Sequence, residues 1–207
     1  MTTRATRKSL ENRLRLARTA ARLMAEDGVP GFAHARRKAA AQLGISNKGH
    51  LPSNSEIEQA LQEYQRLFQA GSQQQHLHST RHTALEAMRF LRDFDPCLTG
   101  PVLNGTATRY NPISLHLFSD SPESVALLLL DRHIPYESDE RRLNFGVTRN
   151  YPVLRFMAGE QAVELIILPC RMRNQSPLSP VDGRPQARAD CAQLEALLAD
   201  QAVARPR

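Results

Sequence analysis

Two kinds of pattern follow one another along this chain, and their order limits the folds available to it. Up to about Phe94, apolar residues recur at helical spacing, and the alternation typical of strands begins only after residue 100. This order predicts an α+β protein: a helical N-terminal region followed by a small mixed β-sheet with packed helices. Gly71 and the glutamines at 73–75 favour a linker there. We therefore expect a helical region at residues 1–72 and an α+β domain at residues 73–207.

Local signals predict where single elements begin and end. Ser53 and Glu56 form a capping box that should start one helix, and Gly28 and Gly44 should end the two helices before it. The apolar run at 125–130 indicates a helix buried on more than one side, and the acidic and basic residues at 139–142 indicate a turn. Further helices are expected at 9–26, 32–43, 76–94, 122–133 and 190–198, with strands at 134–138, 153–157 and 162–168.

The stretch from Gly100 to Asp120 carries the most information about function. An apolar segment at 101–103, which we interpret as a strand, reaches a tight turn at Gly105 and Thr106. A polar loop follows, and then an alternating strand whose residues Ser114 and His116 share one face. Ser121, at an N-cap position, and the proline after it predict the next helix.

A strand ending in Gly-Thr, a second alternating strand and then a helix resemble the core of the nucleotidyltransferase superfamily. In that family the turn approaches a triphosphate, and two acids at positions i and i+2 of the next strand hold a divalent metal, because residues two apart share a strand face. The equivalent positions here are Ser114 and His116, neither of which is a charged oxygen ligand suited to magnesium. The resemblance implies the fold, with degenerate metal-binding acids; magnesium would be the cofactor only of an active enzyme.

The resemblance also implies roles for other residues. Gly105, Thr106 and Arg109 would contact nucleotide phosphates, since glycine allows close approach and arginine offers a planar fork of donors. A third acid comes from a later strand in this superfamily, and Glu164 is the candidate because it interrupts an apolar strand. Any residual transfer of a nucleotidyl group would use Glu164, His116 and Asp120, which lies at the end of the strand. His116 could equally be a neutral core histidine.

A second resemblance concerns the N-terminal region. Ala40, then Gly44, Ile45 and Ser46 after three intervening residues, are similar to the turn of TetR-type helix-turn-helix domains. That resemblance implies a DNA-binding regulator whose C-terminal part senses a ligand or dimerises, and it requires an exposed basic helix directly after Ser46. Gly49 and Pro52 should break such a helix.

Charge is distributed unevenly. Formal net charge is +8 for residues 1–50 and −2 for the remainder, so an anionic partner, either nucleic acid or an acidic protein, is expected at the N-terminal end. The basic residues that we expect to meet nucleic acid phosphates are Arg36, Arg37, Lys38 and Lys48. Three widely spaced cysteines and the absence of a long apolar run favour a cytoplasmic protein of bacterial type with no membrane partner, although the Arg-rich start also suits a mitochondrial presequence.

Overall fold

A computed structural model describes residues 4–45, 51–68 and 70–203. The chain divides into two compact units. The first, here the N-terminal unit, contains residues 1–73, 108–110 and 180–182; the second, here the sheet unit, contains residues 74–107, 111–179 and 183–207. No helix in the described ranges combines the length and the apolar character that crossing a membrane requires.

The N-terminal unit contains the helices α1 (Arg4–Glu26), α2 (Phe32–Gln42) and α3 (Asn54–Phe68). The predicted capping box is confirmed, because Ser53 N donates to Glu56 Oε2 at 2.7 Å and Glu56 N donates to Ser53 Oγ at 3.2 Å. Glu56 also accepts from Arg13 of α1 at 2.7 Å, which ties the start of α3 to α1. Fully buried Leu16, Ala35 and Ile57, one from each helix, belong to the same core.

The segment predicted as a linker, Gly71 and residues 73–75, is helical, because α4 (Ala70–Phe90) runs through it; the division between the two units falls at residue 73 within this helix. Glutamine is a good helix former, and a single glycine inside a helix costs only about 1 kcal/mol. A 3-10 turn (Arg92–Phe94) then ends the helical stretch.

One six-stranded mixed sheet organises the sheet unit, in the order β3-β4-β5-β2-β1-β6. The strands β2 and β5 are parallel and every other neighbouring pair is antiparallel. The fold is therefore α+β with helices at the N-terminus, as expected. The strands are β1 (Cys97–Thr99), β2 (Ile113–Phe118), β3 (Glu137–Asn144), β4 (Thr148–Ala158), β5 (Gln161–Leu168) and β6 (Arg188–Ala189), and the remaining helices are α5 (Pro101–Asn104), α6 (Pro122–Asp131) and α7 (Cys191–Val203).

The two faces of this sheet differ. Ile113, Leu115 and Leu117 of β2 belong to the main core together with apolar residues of α4, α6 and α7. The opposite face of β2 carries Ser114, His116 and Phe118, and Phe118 joins a smaller apolar cluster that includes Met172 of a 3-10 turn (Cys170–Met172). Helices thus cover one face, and the other is left to loops and long side chains.

Three further expectations are corrected in this unit. Residues 101–103 belong to the short helix α5, and the first strand is β1, which lies before residue 100. Residues 139–142 lie in the edge strand β3; charged side chains are common there because they protect the open edge of a sheet. The helix α6 is not buried on more than one side, since Leu127 and Leu130 are more than half exposed. The hairpin of β4 and β5 around Gly159 is confirmed.

Candidate functional site

Pairing of the parallel strands β2 and β5 brings the predicted polar residues together. Ser114 lies directly opposite Glu164, and His116 is two residues further along the same face of β2. All three are buried, with exposed fractions of 7% for Ser114, 0% for His116 and 1% for Glu164. The three positions implied by the nucleotidyltransferase resemblance therefore share one region of the sheet.

Two arginines from the neighbouring hairpin hold the buried Glu164 carboxylate. Arg155 of β4 donates from Nε to Oε1 at 3.0 Å, and its Nη2 lies 3.0 Å from the same oxygen. Arg141 of β3 places Nη1 at 2.5 Å from Oε2, although this oxygen receives no well-directed hydrogen bond. A buried charge is tolerated only when it is paired, and these two contacts account for the pairing.

Arg155 also reaches Asp139 on β3, which lies diagonally across from it, opposite Val153. Its Nη1 donates to Asp139 Oδ2 at 2.6 Å, and this hydrogen bond raises the pKa of Arg155 and lowers the pKa of Asp139. Arg155 and Arg141 are 38% and 41% exposed, so their guanidinium groups connect the buried Glu164 to the protein surface.

His116 is held by a third arginine. Arg188 of β6 donates from Nε to His116 Nδ1 at 2.9 Å. Because Nδ1 accepts, the imidazole proton of the neutral ring must be on Nε2. Burial, followed by the charges of Arg188 and Arg141, lowers the pKa of His116 to about 3, so the ring is neutral at pH 7.

Two donors at this point lack acceptors. His116 Nε2 and Arg188 Nη2 are both buried and have no hydrogen-bond partner. The Arg188 guanidinium lies over the Phe118 ring, 5.2 Å from its centroid, and Arg188 Nη1 donates to the backbone oxygen of Arg173 at 3.2 Å. No carboxylate of the described residues forms an ion pair with Arg188.

We name this assembly the arginine face. It consists of side chains from five of the six strands, and it contains more cationic groups than carboxylates. Its members are Ser114, His116, Asp139, Arg141, Arg155, Glu164 and Arg188.

Magnesium does not fit the arginine face. The ion prefers several oxygen ligands in octahedral geometry. Here both oxygens of Glu164 face arginines, and His116 offers an N–H donor in place of a ligand. Among the described residues, no group of three or more His, Cys, Asp and Glu side chains could hold a metal ion.

Asp120 has a different role from the one expected of it. Its Oδ1 accepts from Cys170 N at 3.0 Å and so fixes the start of the 3-10 turn after β5. It lines a cavity of about 630 Å³ with Tyr151 and Arg171, and neither His116 nor Glu164 lines that cavity. The structure therefore does not place Asp120 with the other two predicted catalytic residues.

The Gly105–Thr106 turn closes the helix α5. Gly105 has a positive φ of 84°, and the amides of Gly105, Thr106 and Ala107 all donate to the Pro101 carbonyl oxygen. Buried Arg81 donates to the carbonyl oxygens of the last turn of α5. The backbone donors expected to meet phosphate are therefore already used in capping the helix.

Arg109 is not part of that turn. It belongs to the N-terminal unit, whereas Gly105 and Thr106 belong to the sheet unit. Its side chain is exposed, and its guanidinium carbon lies 5.1 Å from the centroid of the Tyr110 ring.

The basic residues of α2 have separate environments. Arg36 is partly buried and donates to Asn54 at the start of α3, so it connects two helices. Arg37 is exposed, and Lys38 lies 3.6 Å from Asp27. Lys48 lies outside the described residues. Residues 51–53 are not helical, and α3 contains three glutamates and one arginine, so the first described helix after Ser46 is acidic.

Sequence reasoning missed Arg141, Arg155 and Arg188. Asp139 and Arg141 are two positions apart in the charged segment 139–142, which is also compatible with a turn. The two-residue spacing of these side chains was the sequence signal available for β3. Nothing near Arg188 in the sequence connects it with His116, which lies 72 residues earlier.

Comparison of the chain with protein-family models, with curated proteins and with solved structures yields no match.

Proposed function

We propose that this protein is a nucleotidyltransferase-like protein that binds the phosphates of a nucleotide on the arginine face without a metal, and that it does not transfer nucleotidyl groups. The observation that carries the proposal is the set of arginines around the positions where the resemblance expects metal-binding acids, two of which hold Ser114 and His116. In that set, Arg188 lacks a carboxylate partner and His116 Nε2 lacks an acceptor.

The arrangement of strands supports the first part of the proposal. Ser114, His116 and Glu164, the residues that the resemblance equates with the superfamily's acids, lie on the parallel neighbours β2 and β5, with Ser114 directly opposite Glu164. A helix, α6, follows β2 directly, as the resemblance requires.

The charges support the binding of an anion. Three guanidinium groups surround two carboxylates and a neutral histidine whose Nε2–H has no acceptor. Phosphate oxygens accept such charge-assisted hydrogen bonds, and arginine matches their geometry with two parallel donors. An arriving phosphate would supply the acceptors that Arg188 Nη2 and His116 Nε2 lack.

The same residues argue against catalysis. Transfer of a nucleotidyl group in this superfamily depends on a metal ion held by carboxylates. Glu164 is committed to two arginines, and the positions of the other two acids hold a serine and a neutral histidine. The helix-turn-helix alternative has less support, because α3 is acidic and packs Ile57 and Leu61 into the interior.

The test is a thermal-shift titration of the full chain with ATP, GTP, CTP and UTP, in EDTA and again in magnesium. We expect stabilisation in EDTA; a ligand at a hundred times its dissociation constant adds about 2.7 kcal/mol to the free energy of unfolding. Arg188→Ala should abolish the shift and Arg141→Ala should weaken it. Arg132→Ala, which removes an exposed arginine outside the arginine face, is the matched control and should leave it unchanged.

Three results would contradict the proposal. They are an absence of any shift, a shift that requires magnesium, and release of pyrophosphate from a nucleoside triphosphate by the protein. Either of the first two results would exclude metal-free nucleotide binding, and the third would show that the protein is a working nucleotidyltransferase.

A further inference from the structure

The N-terminal unit contains a groove that combines positive charge with exposed aromatic and apolar surface. It lies between α1 and α3 and has a volume of about 530 Å³. We name it the α1–α3 groove. Its lining includes Arg15, Arg18 and Arg22 of α1 and Tyr64, Leu67 and Phe68 of α3. We infer that it is a binding site for single-stranded nucleic acid.

The three arginines form one charged edge of the groove. They are spaced i, i+3 and i+7 on α1, so they project from one side of the helix and extend over about 10 Å at 1.5 Å per residue. All three are exposed, and none forms an ion pair with a described residue. Their charges are therefore available to phosphates of an extended strand.

Aromatic rings form the other wall. Phe68 is 72% exposed, and its ring centroid lies 5.0 Å from that of Tyr64. The Tyr64 hydroxyl donates to Glu26, which fixes its ring against the end of α1. This hydrogen bond raises the pKa of Tyr64, and the nearby charge of Arg22 partly opposes the effect. Exposed Phe68 beside a fixed Tyr64 provides a surface on which an unpaired base can stack.

The combination favours a single strand over other anions. Duplex DNA hides its base faces, and an acidic peptide has charges but no planar groups for Phe68. The groove itself contains one acid, Glu63, against three arginines. A single strand uses both walls, with phosphates on α1 and bases on α3.

This site differs from the basic segment expected from the sequence. Arg37 and Lys38 belong to α2, and neither lines the groove. The helix α1 is amphipathic: apolar residues at helical spacing predict its buried face, and the arginines lie on its charged side. That charged side was the sequence signal for this site.

The experiment measures fluorescence anisotropy of a labelled oligouridylate and oligothymidylate with the full chain. Arg15→Ala with Arg18→Ala should weaken binding at least tenfold and make the slope of log K against log salt concentration shallower by about 1.4, since each of the two lost phosphate contacts in a single strand contributes about 0.7. The matched control, Arg37→Ala with Lys38→Ala, removes the same charge from the same unit outside the groove and should change affinity less than twofold.

A second variant separates stacking from charge. Phe68→Ala should weaken binding to oligothymidylate about tenfold and leave binding to an abasic strand of equal length unchanged. Because Phe68 is exposed, the thermal denaturation of the Phe68→Ala variant should match that of the unsubstituted protein. Equal losses in the Arg15/Arg18 variant and in the Arg37/Lys38 control, equal affinity for polyglutamate, or tighter binding to duplex DNA would overturn the inference.

Discussion

His116 is the residue whose chemistry depends most on its surroundings. Its position on β2 follows from alternation in the sequence, but its neutral state follows from burial and from two arginines on other strands. Arg188 also decides which nitrogen of the ring carries the proton. The ring therefore carries its proton at Nε2, where the structure gives it no acceptor, and it is not a base at neutral pH.

The pKa of His116 predicts a loss of stability in acid. The pKa is about 3 in the folded protein and 6.5 in the unfolded chain, so between these values the unfolded chain binds the extra proton. The free energy of unfolding then falls as pH falls, by about 1.4 kcal/mol per pH unit, which is about 2 kcal/mol between pH 7 and pH 5. Urea denaturation at pH 7 and at pH 5 measures this difference in the free energy of unfolding. His116→Asn, which keeps an acceptor toward Arg188, should lose this part of the pH dependence; an unchanged difference between pH 7 and pH 5 would contradict the assignment.

Glu164 predicts a second effect on stability. Glu164→Gln leaves Arg141 and Arg155 without their shared carboxylate, and breaking a buried pair costs about 3–5 kcal/mol when both partners are buried. These arginines are partly exposed, so we expect a cost of about 2 kcal/mol in chemical denaturation. Glu160→Gln, in the exposed turn between β4 and β5, is the control and should cost almost nothing. Equal stability of the two variants would show that the pairing contributes nothing.

Helix ends in the N-terminal unit follow local rules. Gly28 lies shortly after α1 and Gly44 shortly after α2, and both have φ near 65°. A left-handed conformation of this kind costs a non-glycine residue about 1–2 kcal/mol. The two positions differ in packing: a Cβ on Gly28 would lie 2.6 Å from Cγ of Tyr110, whereas a Cβ on Gly44 would meet nothing within 4 Å.

This difference gives a matched pair of substitutions. Gly44→Ala should lower the free energy of unfolding by about 1 kcal/mol, for the backbone alone. Gly28→Ala should lower it by about 3 kcal/mol, because the Tyr110 ring must move and its hydroxyl donates to Glu26 O at 2.9 Å. Thermal denaturation compares them, and adding Tyr110→Ala should bring the two glycine substitutions closer in cost. If both glycine variants lose the same stability, the ring contact is unimportant.

At the level of the whole chain, the two proposed sites use residues of different units. The arginine face belongs to the sheet unit and the α1–α3 groove to the N-terminal unit. The basic excess of residues 1–50 is divided between helices: Arg15, Arg18 and Arg22 are exposed on α1, and Arg37 is exposed on α2.

Because the two sites lie in different units, a substitution in one site should leave ligand binding at the other unchanged. Arg188→Ala should lose nucleoside triphosphate binding and keep its affinity for oligothymidylate. Arg15→Ala with Arg18→Ala should lose oligothymidylate and keep the thermal shift with nucleoside triphosphates. Loss of both ligands in either variant would mean that one site serves both.

The sequence by itself was sufficient wherever the signal comes from near neighbours. The capping box before α3, the glycines that end α1 and α2, the alternation of β2 and the hairpin at Gly159 are all local, because each involves residues a few positions apart. The same local patterns placed Glu164 and His116 on strands as unusual polar residues.

The other features of the fold and of the arginine face depend on contacts between residues that are far apart in the sequence. The sequence of residues 139–142 is compatible with a turn and with an edge strand, because both accept charged residues. Pairing with β4 makes this segment a strand. Gly105 closes a short helix because Arg81 and the Pro101 carbonyl are present around it. The parallel pairing of β2 with β5 sets Ser114 opposite Glu164, and β3, β4 and β6 bring three arginines to them from distant parts of the chain. A sequence records which charges are present, and the register of the sheet determines which of them meet.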